Sequence, residues 1–173
     1  MISPPSPLSI LHRISIPDLR THVVHVETTL TATRALPDAL VLFMAVWTPG
    51  SYLVREYARH VEALAADAPA RATKVRKNAW RVDTAGAGRV VLRYRVYANE
   101  LTVRTSHVDE THAFLAGASL FLGVEGREDL GARVEIATPA GWRIATALDA
   151  PPVGEGEERS LEAPDFDTLT SSF

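Results

Sequence analysis

The chain has 173 residues, of which 46% are hydrophobic and 23% charged, with a net charge of −3 and no cysteine. That length and balance suit one globular domain with a core of its own and exclude a chain disordered throughout. The missing cysteine excludes a disulfide scaffold, a Cys-ligated zinc site and a thiol nucleophile, and the weakly acidic charge lacks the footprint of a nucleic-acid binder.

Residues 1–9 read as a flexible leading segment, 10–149 as one β domain, and 150–173 as a Pro/Gly/Glu-rich segment and tail. Met1 to Pro7 shows neither a basic nor an apolar signal-peptide region, so no signal peptide is visible. A chain without cysteine suits the cytosol and the periplasm alike. Strand signals follow. Val24, Val26 and Leu30 share a face. The apolar run Ala39 to Trp47 reads as a central strand covered on both sides, and it is too short to span a bilayer. Arg55 to Ala66 reads as a helical turn or two, or as an irregular edge strand. Trp80 and Val82 alternate with Arg81 and Asp83; Gly86-Ala87-Gly88 reads as a hairpin turn; and Val90 to Tyr97 is the clearest period-two segment. Leu115 to Val124 reads as a strand or an inward-packed loop, and Val134 and Ile136 alternate with Arg133 and Glu135. The pattern predicts a mainly antiparallel β domain of sandwich type with little helix.

The chemistry-bearing residues form no complete catalytic motif. His22 and His25 are three apart, a spacing that on a strand sends the rings to opposite faces. There is no HExxH. His107, Asp109, Glu110 and His112 lie within six residues, which suits a metal or acid/base site and equally a solvated polar loop. Ser51 lacks the second glycine of a nucleophile elbow. Arg93 and Arg95 read as a solvated strand face or an anion clamp.

Two segments are denser in aromatic, glycine and charged residues than plain strands require. Trp47, Pro49, Gly50, Ser51, Tyr52, Arg55, Tyr57 and His60 fit the pattern Trp-x-Pro-Gly-Ser-Tyr-x-x-Arg-x-Tyr-x-x-His. Val103, Arg104, Thr105, Ser106, Asp109 and His112 fit Val-Arg-Thr-Ser-x-x-Asp-x-x-His. Weaker matches join Lys77 with Trp80, Glu100 with Leu101, and Pro139 with Trp142. In these blocks the chain resembles the N-terminal domain of the M61 glycyl aminopeptidase family, the PDZ-containing metallopeptidases, over roughly residues 14–169. It departs from the family near its end, where Thr170-Ser171-Ser172 replaces an Asp-Ser-Pro-like step.

The resemblance implies a saddle-like β domain similar to the N-terminal domain of the M1 aminopeptidases. Family members carry a zinc domain with the HExxH helix after this region, and then a PDZ domain. Zinc is therefore expected in that domain and no cofactor in this chain, which is expected not to be an enzyme by itself. The implied partners are the catalytic domain of the same parent and a peptide substrate at the shared cleft, with no nucleic acid and no membrane. Asp109 and Glu110 are the candidates for holding a substrate ammonium, by analogy with M1 enzymes; for Asp109 the alternative is a turn cap on its own backbone. The aromatics of the two blocks imply an exposed apolar patch through which the isolated domain self-associates. A stand-alone β-sandwich interaction module is the alternative reading of the whole chain.

Overall fold

The computed structural model describes residues 8–48, 53–100, 102, 105–148 and 158–173. Its strands are β1 (Leu8–Ser15), β2 (Val23–Ala32), β3 (Ala39–Met44), β4 (Val61–Ala66), β5 (Arg71–Arg76), β6 (Ala79–Asp83), β7 (Arg89–Tyr97), β8 (His107–Val108), β9 (Ala113–Phe114), β10 (Leu122–Val124), β11 (Ala132–Ala137) and β12 (Glu158–Ala163). One α-helix follows, α1 (Phe166–Ser172).

A six-stranded sheet runs β12-β11-β1-β2-β7-β4 and a four-stranded sheet runs β10-β3-β6-β5. Every pairing is antiparallel except β1 with β11. Period-two alternation decides what each sheet buries. In β7, Val90, Leu92, Tyr94 and Val96 are buried, while Arg93, Arg95 and Tyr97 are exposed. Ile10, Ile14, Val26, Leu30, Val134 and Leu161 from the first sheet meet Leu42, Met44, Trp80, Val82 and Leu122 from the second in one core. The protein is thus mainly β, as the sequence pattern predicts.

The outer face of the large sheet is a ladder of opposite charges. Arg13 pairs with Glu135 at 2.6 Å and with Glu27 at 3.3 Å, Arg93 pairs with Glu27 at 2.9 Å and with Asp67, and Arg95 pairs with Glu62 at 3.4 Å. Exposed pairs of this kind stabilise by only about 0.2–1 kcal/mol each. They make this face a solvated one, as expected for Arg93 and Arg95, and not an apolar contact surface.

Three segments correct or sharpen the sequence expectation. Gly86-Ala87-Gly88 is not a hairpin, because β6 and β7 belong to different sheets. Its backbone is strapped to the β2–β3 connection by Ala32 N–H to Gly88 O and Leu36 N–H to Ala87 O, both 2.9 Å. The stretch from Arg55 to Ala66 is both alternatives in turn: a 3₁₀ turn at Tyr57–His60 and then β4. Residues 158–172, read from the sequence only as part of a Pro/Gly/Glu-rich segment and tail, are built into the domain. β12 pairs with β11 over six residues, and α1 buries Phe166 and Leu169 in the common core. Asp165 caps this helix, accepting from Thr168 N–H at 2.7 Å. Among the described residues no helix is long and apolar enough to cross a membrane.

Candidate functional site

The second sequence block forms a ribbon just beyond β7. After Tyr97 the chain is stitched down by Ala98 N–H to His22 O (2.7 Å) and Val108 N–H to Ala98 O (2.8 Å). Ser106 is buried, with its hydroxyl 2.8 Å from that of Ser119 and accepting from Ala116 N–H at 3.0 Å. β8 and β9 then pair as a two-residue hairpin whose turn holds Asp109 to His112.

Asp109 organises that turn. Its Oδ1 accepts from Thr111 N–H and Thr111 Oγ1–H, both at 2.7 Å, and from His112 N–H at 3.0 Å. Its Oδ2 lies 3.1 Å from His107 Nε2. The Thr111 hydroxyl, followed by the backbone N–H groups of Thr111 and His112 and by His107, holds the carboxyl well below the usual aspartate range. This is the Asx-type turn set out above as the alternative for Asp109. A carboxylate offers about four lone-pair sites; among the described residues Oδ1 has three donors and Oδ2 has one, His107. Glu110 is exposed beside it, and its charge acts on Arg20.

Two histidine rings, those of His107 and His112, flank this carboxylate, and the ring of His22 stands beside His107. His107 and His112 have ring centres 5.5 Å apart, and His22 lies 6.4 Å from His107. Ligand atoms of His107, Asp109 and His112 fall within 4.8 Å of one another. The hydrogen bonding suits a proton better than a metal there. With Nε2–H donating to Asp109, His107 leaves Nδ1 as an acceptor; that atom is buried and unpartnered. A metal on Nε2 would drive the proton to Nδ1, where the described residues provide no acceptor, and metal-bound imidazoles ordinarily donate their second N–H. His22, at φ +56° before β2, has Nδ1 2.5 Å from Val108 O and ties the ribbon to the large sheet. His25 is exposed on β2, apart from this group.

The first block forms a second locus. Pro49, Gly50, Ser51 and Tyr52 lie outside the described residues, as do Val103 and Arg104 of the other block. On either side of 49–52 the apolar side chains face solvent: Trp47 is 51% exposed, Leu53 60% and Val54 76%. Arg55 N–H donates to Val46 O at 2.6 Å, which brings the two flanks together. Tyr57 and Ala58 then turn into the core, so this block is half packing and half surface. Trp47, at the end of the most apolar run, is therefore not a core residue. Phe114 on the ribbon is 41% exposed.

A cavity of about 360 Å3 lies between the two blocks, lined by Val54, Arg55, Glu56, Tyr57, Arg59, His60, Glu100, Thr102 and Thr105. Arg59 pairs with Glu100 at 3.2 Å, and His60 Nε2 lies 3.9 Å from the same carboxylate. Burial and then the Arg59 charge lower the His60 pKa, against the pull of Glu100. Glu100 was visible in the sequence only as a weak match beside the second block, and the pairing across 41 residues that gives it a role has no local signal.

The residues thus assembled contain no nucleophile–base pair among those described. Residues 12–172 match the family described as the Peptidase M61 N-terminal domain. No curated protein sequence matches significantly. Among solved structures, the crystal structure of an aminopeptidase N family protein from Idiomarina loihiensis is similar, with a TM-score of 0.84 and 28% identity over 94% of this chain. The present chain spans only 28% of the length of that protein.

Proposed function

Because the chain belongs to the Peptidase M61 N-terminal domain family, we propose that it is the non-catalytic N-terminal domain of a zinc aminopeptidase, packed on a catalytic domain and walling part of its substrate cleft. The observation that carries this reading is the exposed group Trp47, Leu53 and Val54. Large apolar side chains gathered on one stretch of surface mark a contact with another body, and inter-domain contacts commonly cover about 600–1,500 Å2. The Idiomarina relative supports it by length, since most of that chain lies beyond the region matched here.

The wall has a chemical purpose in an exopeptidase. It blocks longer chains and holds the free amino end in register, so that binding energy goes into positioning the scissile bond. The acidic turn Asp109–Glu110 is the proposed ammonium partner. Asp109 is held by the bonds within its turn, with a single donor to Oδ2 among the described residues, and an ammonium pairs strongly with such a carboxylate where water is scarce. The zinc and its HExxH helix belong to the catalytic domain, and no residue of this chain is assigned to them.

The test uses the full-length parent. It should contain zinc and release amino-terminal residues from aminoacyl anilides. Leu53→Asp with Val54→Asp should lower kcat/KM without loss of the zinc. Unchanged kinetics in that variant would refute the docking role.

A further inference from the structure

Arg55 is the anomaly of this surface. Its Nε and Nη2 are buried and have no hydrogen-bond partner among the described residues. These two atoms form one edge of the guanidinium, the edge whose parallel N–H groups match the two oxygens of a carboxylate. Arginine keeps its charge inside a protein, and a buried donor without an acceptor is costly. The acidic neighbours do not serve it. Glu56 is held by Lys77 at 2.8 Å, and Glu100 by Arg59 at 3.2 Å. The Arg55 backbone is fixed through its bond to Val46. Its side chain borders the 360 Å3 cavity and sits directly after the exposed Leu53 and Val54.

We propose that Arg55 receives a carboxylate side chain carried by the catalytic portion of the parent, inside an apolar contact made by Trp47, Leu53 and Val54. This rests on the docking reading above and names the polar anchor of that interface. Charge complementarity calls for an anion, the bidentate edge calls for a planar two-oxygen group, and the apolar rim calls for a protein surface rather than a small ion. Rotation about the last torsions of the long side chain turns its edge toward the cavity as the partner arrives. An acidic residue set in an apolar patch is the matching chemistry, so the interface is specific as well as adhesive.

The experiment compares Arg55→Met with wild type in the isolated 173-residue chain and in the full-length parent. In the isolated chain the melting temperature should stay level or rise, because an unpaired buried cation is removed. In the parent, amide exchange across Leu53–His60 should speed up by about tenfold or more, as expected when one partner of a buried charge pair is truncated. Arg55→Lys keeps the charge but not the fork and guards against misfolding of the Met variant; it should lose the same protection in the parent. An equal fall in melting temperature in both settings would place the partner of Arg55 inside this domain and overturn the proposal. Full protection in both variants would also overturn it. Leu53→Asp with Val54→Asp separates the two readings. If that pair opens the parent while the Arg55 variants do not, docking stands and the carboxylate anchor falls. If neither set opens it, the docking reading fails as well.

Discussion

His12 on β1 and Thr28 on β2 stand directly opposite each other in the sheet, with His12 Nδ1 2.9 Å from the Thr28 hydroxyl and both residues fully buried. The His12 ring also packs on Phe121 with ring centres 4.8 Å apart, and its Nε2 has no partner among the described residues. Burial therefore pushes the imidazole pKa down to about 3 from 6.5. Below pH 6.5 the unfolded chain binds a proton that the folded chain refuses, so stability falls as pH drops from about 6.5 toward 3. The slope contributed by this one group approaches about 1.4 kcal/mol per pH unit. Denaturant titrations from pH 7 to pH 4 should show it, and His12→Met should flatten the curve in that window. A His12→Met curve as steep as wild type would assign the acid sensitivity to other groups.

Asp109 is expected to act differently in the isolated chain and in the parent. In the isolated chain, Asp109→Ala frees three donors of the turn at once and should raise amide exchange at Thr111 and His112. The folded-state pKa of Asp109 is depressed, so its contribution is present above the ordinary aspartate range and disappears only as pH falls through the lower folded value. In the parent, Asp109→Asn keeps most of the turn and removes the charge; it should lower kcat/KM for free-amine substrates by about tenfold or more and leave N-acetylated substrates unaffected. Equal losses on both substrate types would make Asp109 a support of the ribbon alone. Glu110→Gln, run beside it, shows which of the two carboxylates pairs with the amine.

The exposed Trp47, Leu53 and Val54 should make the isolated chain self-associate at high concentration. Sedimentation at increasing concentration should show a dimer or larger species that Leu53→Asp with Val54→Asp abolishes. Association unaffected by those changes would direct attention to another surface.

Gly117 tests whether the C-terminal helix is part of the domain. A Cβ there would collide with the Leu169 carbonyl and with Phe173 Cβ, both of which belong to the C-terminal segment. Backbone cannot yield as a side chain does, so Gly117→Ala should destabilise by about 1–3 kcal/mol, measured by chemical unfolding. Gly123→Ala meets only the ring of Phe166 and should be milder. A neutral Gly117→Ala would mean that α1 is loosely held.

Alternation made β7 and β6 readable, because one face of each is buried and the other is charged. It could not say that the two strands belong to different sheets, since Gly86-Ala87-Gly88 supplies a turn in either case. The parallel contact of β1 with β11 was likewise invisible, being a pairing across more than a hundred residues. The Pro/Gly/Glu-rich stretch disguised β12 and α1, whose Leu161, Phe166 and Leu169 are sparse in sequence but sit in the core. At the site, the resemblance directed attention to both blocks. The turn cap at Asp109 was one of two readings open in the sequence, and nothing there showed that Arg55 has two buried donors without a partner among the described residues. Both depend on three-dimensional hydrogen bonding rather than residue type.

The central claim is that this domain docks on the rest of a peptidase through the surface around Leu53. The most direct measurement is amide exchange over Leu53–His60 in the isolated chain and in the full-length parent under one condition. The account predicts exchange slower by at least about tenfold in the parent, with the amides of the charged ladder around Arg13 and Arg93 unchanged. Equal rates across Leu53–His60 in the two proteins would contradict it.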